Sequence, residues 1–359
     1  MARIAVLTSG GDSPGMNAFL RGAVKVAAAQ GVHVVGVRDG YEGLMDGSFE
    51  PLTVQDGATV RPAPAFEADL IGGMGGTVLG SARSMRFREP GGRSQAAKRL
   101  AEMDGLIVVG GNGSLTGAHM LANEHGIKVM GVPASIDNDI GCTSTCLGVD
   151  TALNTIVQAC DRIADTARAH KRAFVVEVMG RDCGYLAMAS AIAAGADAAL
   201  IREQGRAESE IVEATVKLVR HAFAERGKRR VLIIKAEGVE VPCTKLVREV
   251  DEKIKDLGVD IRGTVLGHVV RGGNPSFLDR MVASRLALGA VSALLSGCTD
   301  EMVSWQPQVE GGTKTLDPSV QRFPLARVLE ETKALIDGSS PITQRRLKLM
   351  EAAEGVLPL

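Results

Sequence analysis

The chain has 359 residues, 45% hydrophobic and 23% charged with few aromatics, a composition that suits two folded domains or one large α/β body. Its formal net charge of −1 offers no basic field for nucleic acid, so an anionic ligand must be held by local Arg and Lys. The six cysteines form no CxxC pair and sit in or beside apolar runs, which fits buried free thiols better than a zinc site, and no apolar run approaches the length of a membrane span. The opening eight residues are too short, and too quickly broken by Gly10-Gly11, to read as a signal peptide. A cytoplasmic location is therefore expected.

Residues 4–8 read as a short strand, Ser9 to Gly15 as a loop, and 16–30 as a helix by apolar spacing. Strand, glycine loop and helix make a phosphate-binding arrangement, because backbone N–H groups and the helix N-terminus face an anion. The loop is neither GxxxxGK(S/T) nor GxGxxG, and a tight turn without a ligand fits the same residues. Residues 34–37 form the next strand, and 57–70, with Pro62 and Pro64, read as irregular. A glycine-rich approach then leads to Gly80-Ser81-Ala82-Arg83, which suits delivery of a guanidinium to a phosphate.

Residues 106–109 form a strand that runs into Gly110-Gly111-Asn112-Gly113-Ser114, with a helix expected from about Leu115 and Ser114 as its N-cap. This is a second glycine cradle. The run 127–132 reads as a buried parallel strand ended by Pro133, which has no N–H to give to the ladder. Ser135-Ile136-Asp137-Asn138-Asp139 follows, with a hydroxyl and two carboxylates at a strand's carboxyl end, where open α/β sheets bind ligands. One carboxylate there can accept a proton and the other can hold a metal or a cation; an Asx-rich turn is the plain alternative.

A long helix over 147–169 precedes a strand at 174–178 that ends in Met179-Gly180-Arg181. An amphipathic helix at 207–225 precedes a strand at 231–235 that ends in Ala236-Glu237-Gly238. Arg262, His268 and Arg271 stand in the run from Ile261 to Gly273. Helices at 277–295, 325–336 and about 343–353 close the chain. Alternating strands and helices imply parallel sheets with helices on both faces.

At this point seven segments carry a resemblance: TSGGDSPGMN (8–17), GSAR (80–83), GGNGS (110–114), SIDND (135–139), EVMGR (177–181), AEG (236–238) and TVLGHVVRGG (264–273). In this order and spacing the chain resembles the bacterial ATP-dependent 6-phosphofructokinases along nearly its whole length. The resemblance implies transfer of the γ-phosphoryl of ATP to the 1-hydroxyl of fructose 6-phosphate in glycolysis, with Mg2+. It implies an α/β fold of two Rossmann-like three-layer domains with mainly parallel sheets, the active site between them, and a homotetramer built as a dimer of dimers. Residues 1–147, with about 262–313 packing on them, would form the nucleotide domain; 148–261 and 314–359 would bind the sugar phosphate.

Carried across by position, the resemblance makes Asp137 the base, Ser135 a hydroxyl for the transferring phosphoryl, and Asp139 with Asn112 the metal side of the site. Gly10, Arg83, Ser84, Gly111, Asn112, Gly113 and Ser114 resemble the nucleotide-phosphate site, with Tyr41 near the adenine. Met179, Gly180, Arg181, Glu237, His268 and Arg271 match the sugar-phosphate site, Arg181 also as a catalytic cation. Arg172 and Arg262 match two arginines supplied by a neighbouring subunit. Arg21, Lys25, Arg226 and Lys228 match the cations of an allosteric site, and Asp197 an acidic residue that holds the effector's metal. Four departures stand out: Asn112 for the usual Asp, Ser135 for Thr, Ala134 for Gly, and Ala164 where an effector-binding Arg is usual. The pyrophosphate-dependent branch would carry Asp at Gly113 and Lys at Ala134, and this chain has neither. A catalytically weak sugar-phosphate sensor has only Asn112 in its favour. An NAD dehydrogenase would need the absent GxGxxG loop.

Overall fold

The computed structural model describes residues 2–305, 312–315, 320–344 and 347. The helix expected at about 343–353 falls largely outside the described residues. The chain divides into two compact units, Met1–Thr151 with Arg271–Lys333, and Ala152–Val270 with Ala334–Leu359.

The first unit opens with β1 (Arg3–Ser9), α1 (Met16–Ala29), β2 (His33–Val37), α2 (Gly40–Asp46), β3 (Phe49–Pro51), β4 (Thr53–Asp56), β5 (Thr59–Pro62) and α3 (Ala68–Ile71). It continues with α4 (Pro90–Arg99), β6 (Gly105–Gly110), α5 (Asn112–His125) and β7 (Val129–Pro133). The long α6 (Val149–His170) leads into the second unit's β8 (Arg172–Val178), α7 (Tyr185–Ala194), β9 (Ala198–Leu200), α8 (Glu208–Arg220), β10 (Arg230–Ala236), α9 (Cys243–Lys253) and β11 (Ile261–Val265). The chain then returns to the first unit with α10 (Phe277–Leu295), β12 (Glu301–Trp305), β13 (Thr313–Lys314), β14 (Val320–Pro324) and α11 (Leu325–Ile336).

The first unit's sheet runs β13-β14-β12-β7-β6-β1-β2-β3. Its five middle strands, β12 to β2, are parallel, and antiparallel pairs lie at both edges. β6 is buried at every residue, as a strand covered on both faces must be. Helices α1 and α10 pack on one another beneath the sheet, with Gly22 so near Ala287 that a Cβ would sit 2.8 Å from its methyl carbon. Phe19, Leu20, Val24, Leu286 and Val291 have no more than 1% of their surface exposed in this layer, each contributing roughly 1.5–3 kcal/mol by burial. Residues 320–333, part of the segment expected in the second domain, cluster with the first unit because β14 pairs antiparallel with β12.

The second unit's sheet, β11-β8-β10-β9, is entirely parallel. Each sheet has a point where the chain order reverses: β1 lies between β2 and β6, and β8 lies between β10 and β11. Ligands of open α/β sheets bind outside the carboxyl ends of the strands at such points.

One local expectation changes. Residues 57–70 hold β5, paired with β4 in a hairpin, and the short helix α3. Pro133 is the last residue of β7, where its carbonyl accepts the Leu147 N–H at 3.0 Å. The cysteines are free, and burial pushes the Cys142 and Cys160 thiols up to about 11, so both stay protonated near neutrality. Among the described residues no helix is long and apolar enough to cross a membrane.

Candidate active site

The first reversal point lies between β1 and β6. Ser9 pairs with Gly110 in register, and a side chain at Gly110 would run into the Ser9 carbonyl. Gly10 turns the chain at φ +88°, a conformation that costs glycine little. Ser81 Oγ donates to the Gly10 carbonyl at 2.6 Å, and Thr8 Oγ1 donates to the Gly80 carbonyl at 2.8 Å. These bonds fix the approach to Arg83, whose own side chain stays exposed. Asn17, 1% exposed on α1, ties down the same approach: its amide accepts from Val78 N–H at 2.8 Å and donates to the Gly75 carbonyl at 3.0 Å. Its place inside the first glycine motif was the one signal for it.

Helix α5 begins at Asn112, earlier than the sequence reading placed it. Its N-cap is Gly111, extended and with no side chain to cap the helix, and not Ser114. Ser114 lies in the first turn, where its N–H donates to Gly111 O at 3.0 Å. A Cβ at Gly113 would meet no atom within 4 Å, and its φ is not in the left-handed region. Neither packing nor backbone geometry asks for glycine there. What its missing side chain leaves is open space before an uncapped helix N-terminus, which favours an anion.

On the neighbouring strand β7 the acidic loop follows directly. Ala134 N–H donates to Gly110 O at 3.0 Å, which sets this loop beside the cradle. Ile136, Asn138 and Ile140 are buried, while Ser135, Asp137 and Asp139 alternate with them and are partly exposed. Asn138, at φ +52°, makes this possible: its side chain accepts Cys146 N–H at 3.0 Å and donates to Ser144 O at 3.2 Å. Ser135 Oγ donates to Asp139 Oδ1 at 2.7 Å.

Tyr41 differs from expectation. It is 4% exposed, stacks on Phe87 at 3.9 Å, and donates its hydroxyl to Ser114 O at 2.6 Å. Burial drives its phenol well above the ordinary range. It braces the first turn of α5 and has no ring surface to spare for a base. Ser84 Oγ accepts Phe87 N–H at 3.0 Å and so supports that stack. Arg271, expected at the sugar, belongs to the first unit and lies over Gly11, with Nη1 donating to Asp12 O at 3.3 Å. Sequence reasoning also missed Asp279. Its buried carboxylate accepts Gly148 N–H at 2.8 Å and Thr151 N–H at 2.9 Å, tying the start of α6 to α10. Burial raises its pKa, against the pull of those bonds.

In the second unit, the reversal point between β8 and β11 carries the remaining candidates. Met179-Gly180-Arg181 leaves β8 through Gly180 at φ +122°. Glu237 N–H donates to Val178 O at 2.8 Å and Gly238 N–H to Gly180 O at 3.2 Å, so the turns after β8 and β10 are joined. A side chain at Gly238 would strike the Arg181 carbonyl. Leu266 N–H donates to Glu177 O at 2.9 Å, which places the turn with the exposed His268 beside them. Arg172 and Arg262 lie elsewhere. Arg172 begins β8 and Arg262 is the second residue of β11, and Asp260 holds them together, accepting from Arg172 Nε at 3.3 Å and Arg262 Nη2 at 3.1 Å. β8 spans seven residues, so about 20 Å separates that edge from the Met179 turn.

The allosteric candidates divide. Arg21 and Lys25 both pair with Asp69 of α3, chiefly through Lys25, which holds that carboxyl below its ordinary range. Asp197 and Lys228 line a cleft of about 400 Å3 in the second unit with Arg168, Arg229 and Arg230; Arg226 is not on its wall. Both Asp197 oxygens are engaged, one by Lys228 and one by Leu232 N–H at 2.8 Å. Asp197 therefore positions the Lys228 ammonium on the wall of this cleft.

The phosphofructokinase family model matches residues 3–294. The chain belongs to the phosphofructokinase family. An ATP-dependent 6-phosphofructokinase of Thermotoga neapolitana is 44% identical over 308 residues, 85% of this chain and 90% of that protein. Another, from Thermus thermophilus, is 40% identical over 339 residues, 93% of this chain and 95% of that one. A solved phosphofructokinase from Saccharomyces cerevisiae superposes with a TM-score of 0.80 at 32% identity, covering 99% of this chain and 48% of the yeast chain. The chain thus spans about half of that larger phosphofructokinase. The α/β architecture with mainly parallel sheets is the fold of this family.

Proposed function

We infer that this chain transfers the γ-phosphoryl group of ATP to the 1-hydroxyl of fructose 6-phosphate, giving fructose 1,6-bisphosphate and ADP. The observation that carries the reading is the partly exposed Asp137 in the loop after β7, beside the open, uncapped N-terminus of α5 that follows β6. Phosphoryl transfer asks for positioning and charge neutralisation rather than protein nucleophiles. The first-turn N–H groups of α5 hold the polyphosphate. Asp137 accepts the hydroxyl proton as the sugar oxygen bonds to the γ-phosphorus and the bond to the β,γ-bridging oxygen breaks. Ser135 stabilises the charge on the moving group. Gly113 favours ATP over pyrophosphate, since the space before it admits an α-phosphate. Initial rates with fructose 6-phosphate, run in parallel with ATP and with pyrophosphate, test this; turnover with pyrophosphate alone would reverse the donor assignment.

Mg2+ fits the donors present. Among the described residues no cluster of three His, Cys, Asp or Glu is built to hold a metal alone. Mg2+ bound with a nucleotide brings phosphate and water ligands of its own and needs one or two protein oxygens. Asp139, in the loop after β7, and the amide oxygen of Asn112, the first residue of α5 after the adjacent strand β6, would supply them. The metal's chemistry there is to neutralise polyphosphate charge. Asn112 brings no charge, so Asn112→Asp is expected to lower the KM for Mg2+–ATP by about three- to tenfold, a carboxylate being the stronger ligand. Steady-state kinetics at fixed free Mg2+ measure it; a raised KM would mean the pocket is built around the neutral amide.

We read the basic cleft in the second unit as a regulatory anion site. The charge missing at Ala164 is supplied one helical turn later by Arg168, which lines the cleft. Arg168→Ala is expected to raise the ADP or phosphoenolpyruvate concentration that shifts sugar saturation by about 10- to 100-fold, the worth of one charge-assisted contact. If neither effector shifts the curve at millimolar levels in the unmodified protein, the cleft is not regulatory.

A further inference from the structure

Lys235 has no exposed surface, yet it follows the buried apolar run Val231 to Ile234 at a position where a branched aliphatic side chain would pack. A buried ammonium is costly unless it is paired. Its partner is Glu177, directly opposite in the β8–β10 register, with Nζ donating to Glu177 Oε2 at 2.7 Å and to Ala236 O at 3.1 Å. The Glu177 side chain is 17% exposed and lines a cleft of about 290 Å3 together with Glu237, Glu240, Cys243 and Val265. Lys235 is the one cation among the residues on that wall, facing three carboxylates.

The rung formed by this pair lies just before both strands leave the ladder. Beyond it come the Met179–Arg181 turn and Glu237, cross-linked by the Glu237–Val178 and Gly238–Gly180 hydrogen bonds. Removing the ammonium would leave Glu177 facing Glu237 and Glu240 with no neutralising charge on the wall. Like charges at short range repel, and the mobile partners are the two exposed glutamates.

We propose that Lys235 is a positioning residue: its ion pair with Glu177 holds Glu237 and the Met179–Arg181 turn in the arrangement that binds the sugar phosphate. The proposal rests on the reading of that turn as the fructose 6-phosphate site. It is tested by steady-state kinetics in both substrates on Lys235→Met, Lys235→Met/Glu177→Gln and Glu237→Gln. Lys235→Met is expected to raise the fructose 6-phosphate KM about tenfold, with kcat within about twofold and the ATP KM unchanged, the signature of lost substrate positioning. The double variant, which leaves no unpaired charge, should fall between Lys235→Met and the unmodified protein because the two residues act together. An unchanged sugar KM in Lys235→Met would overturn the proposal. So would an equal rise in both KM values, or a double variant no better than the single one. If Lys235→Met does not fold, the double variant decides: a sugar KM raised about threefold at unchanged ATP KM supports the proposal, and unaltered values overturn it. Glu237→Gln separates the two levels of the argument. If it leaves the sugar KM unchanged, the sugar-site reading itself fails; if it raises the sugar KM while Lys235→Met does not, only the role of Lys235 fails.

Discussion

Asp137→Asn is expected to lower kcat by about 10²–10⁴-fold, the usual worth of a general base, while the KM for fructose 6-phosphate changes little. Asn has nearly the same size and keeps an oxygen acceptor, so the loop has no reason to move. The loop's shape depends on Asn138, whose amide grips Ser144 and Cys146, and on Ser135, whose hydroxyl is bound to Asp139. Asp137 lies between these anchors and is partly exposed, so its loss should leave the melting temperature within a few degrees of the unmodified protein. Rapid-quench or steady-state kinetics at saturating substrates measure the effect. A near-normal kcat would remove Asp137 from the role of base.

Arg172→Ala is expected to raise the sugar KM by about 10- to 100-fold, the loss of one charge-assisted phosphate contact. Geometry makes this result informative. Arg172 and Arg262 sit at the strand ends opposite the Met179 turn, and an arginine side chain is far too short to reach from one end of β8 to the other. With the sugar phosphate bound at the Met179 turn, such a contact would be made by the arginine of a second copy of the chain. Mixing Asp137→Asn with Arg172→Ala subunits tests this directly. If the arginine acts across an interface, a random mixture regains about a quarter of the sites, because half of the isologous pairs are mixed and each mixed pair holds one intact site. No recovery after subunit exchange would place the arginine outside the partner's site. Its pair with Asp260 is largely exposed and contributes little to stability.

The glycine cradles and the acidic loop were legible because strand, loop and helix each have their own residue signature. Helices α10 and α11 were legible to the residue for the same reason. Features that depend on a partner across the sheet were not. Lys235 reads in sequence as the polar end of a strand; only the register with Glu177 shows it to be buried and paired. Tyr41 reads as a platform for a base until Phe87, 46 positions on, covers it. The β4–β5 hairpin carries a usable signal, Asp56-Gly57, but Pro62 and Pro64 point the other way, and Pro62 is tolerated because it ends a strand. Residue 112 is a poor helix former, yet α5 starts there, directly after the extended Gly111. Departure from local propensity at that point is what a ligand site predicts.

The central claim is that the loop after β7 transfers phosphoryl from ATP to the sugar's 1-hydroxyl. Phosphorus NMR of a reaction mixture containing ATP, Mg2+ and fructose 6-phosphate measures this directly, with the Asp137→Asn protein run alongside. ADP and a new phosphomonoester on carbon 1 are expected to grow equally, at a rate that falls by about two orders of magnitude or more in the variant. ADP formed with inorganic phosphate and no new sugar ester would contradict it, as would transfer that proceeds unchanged without the carboxylate.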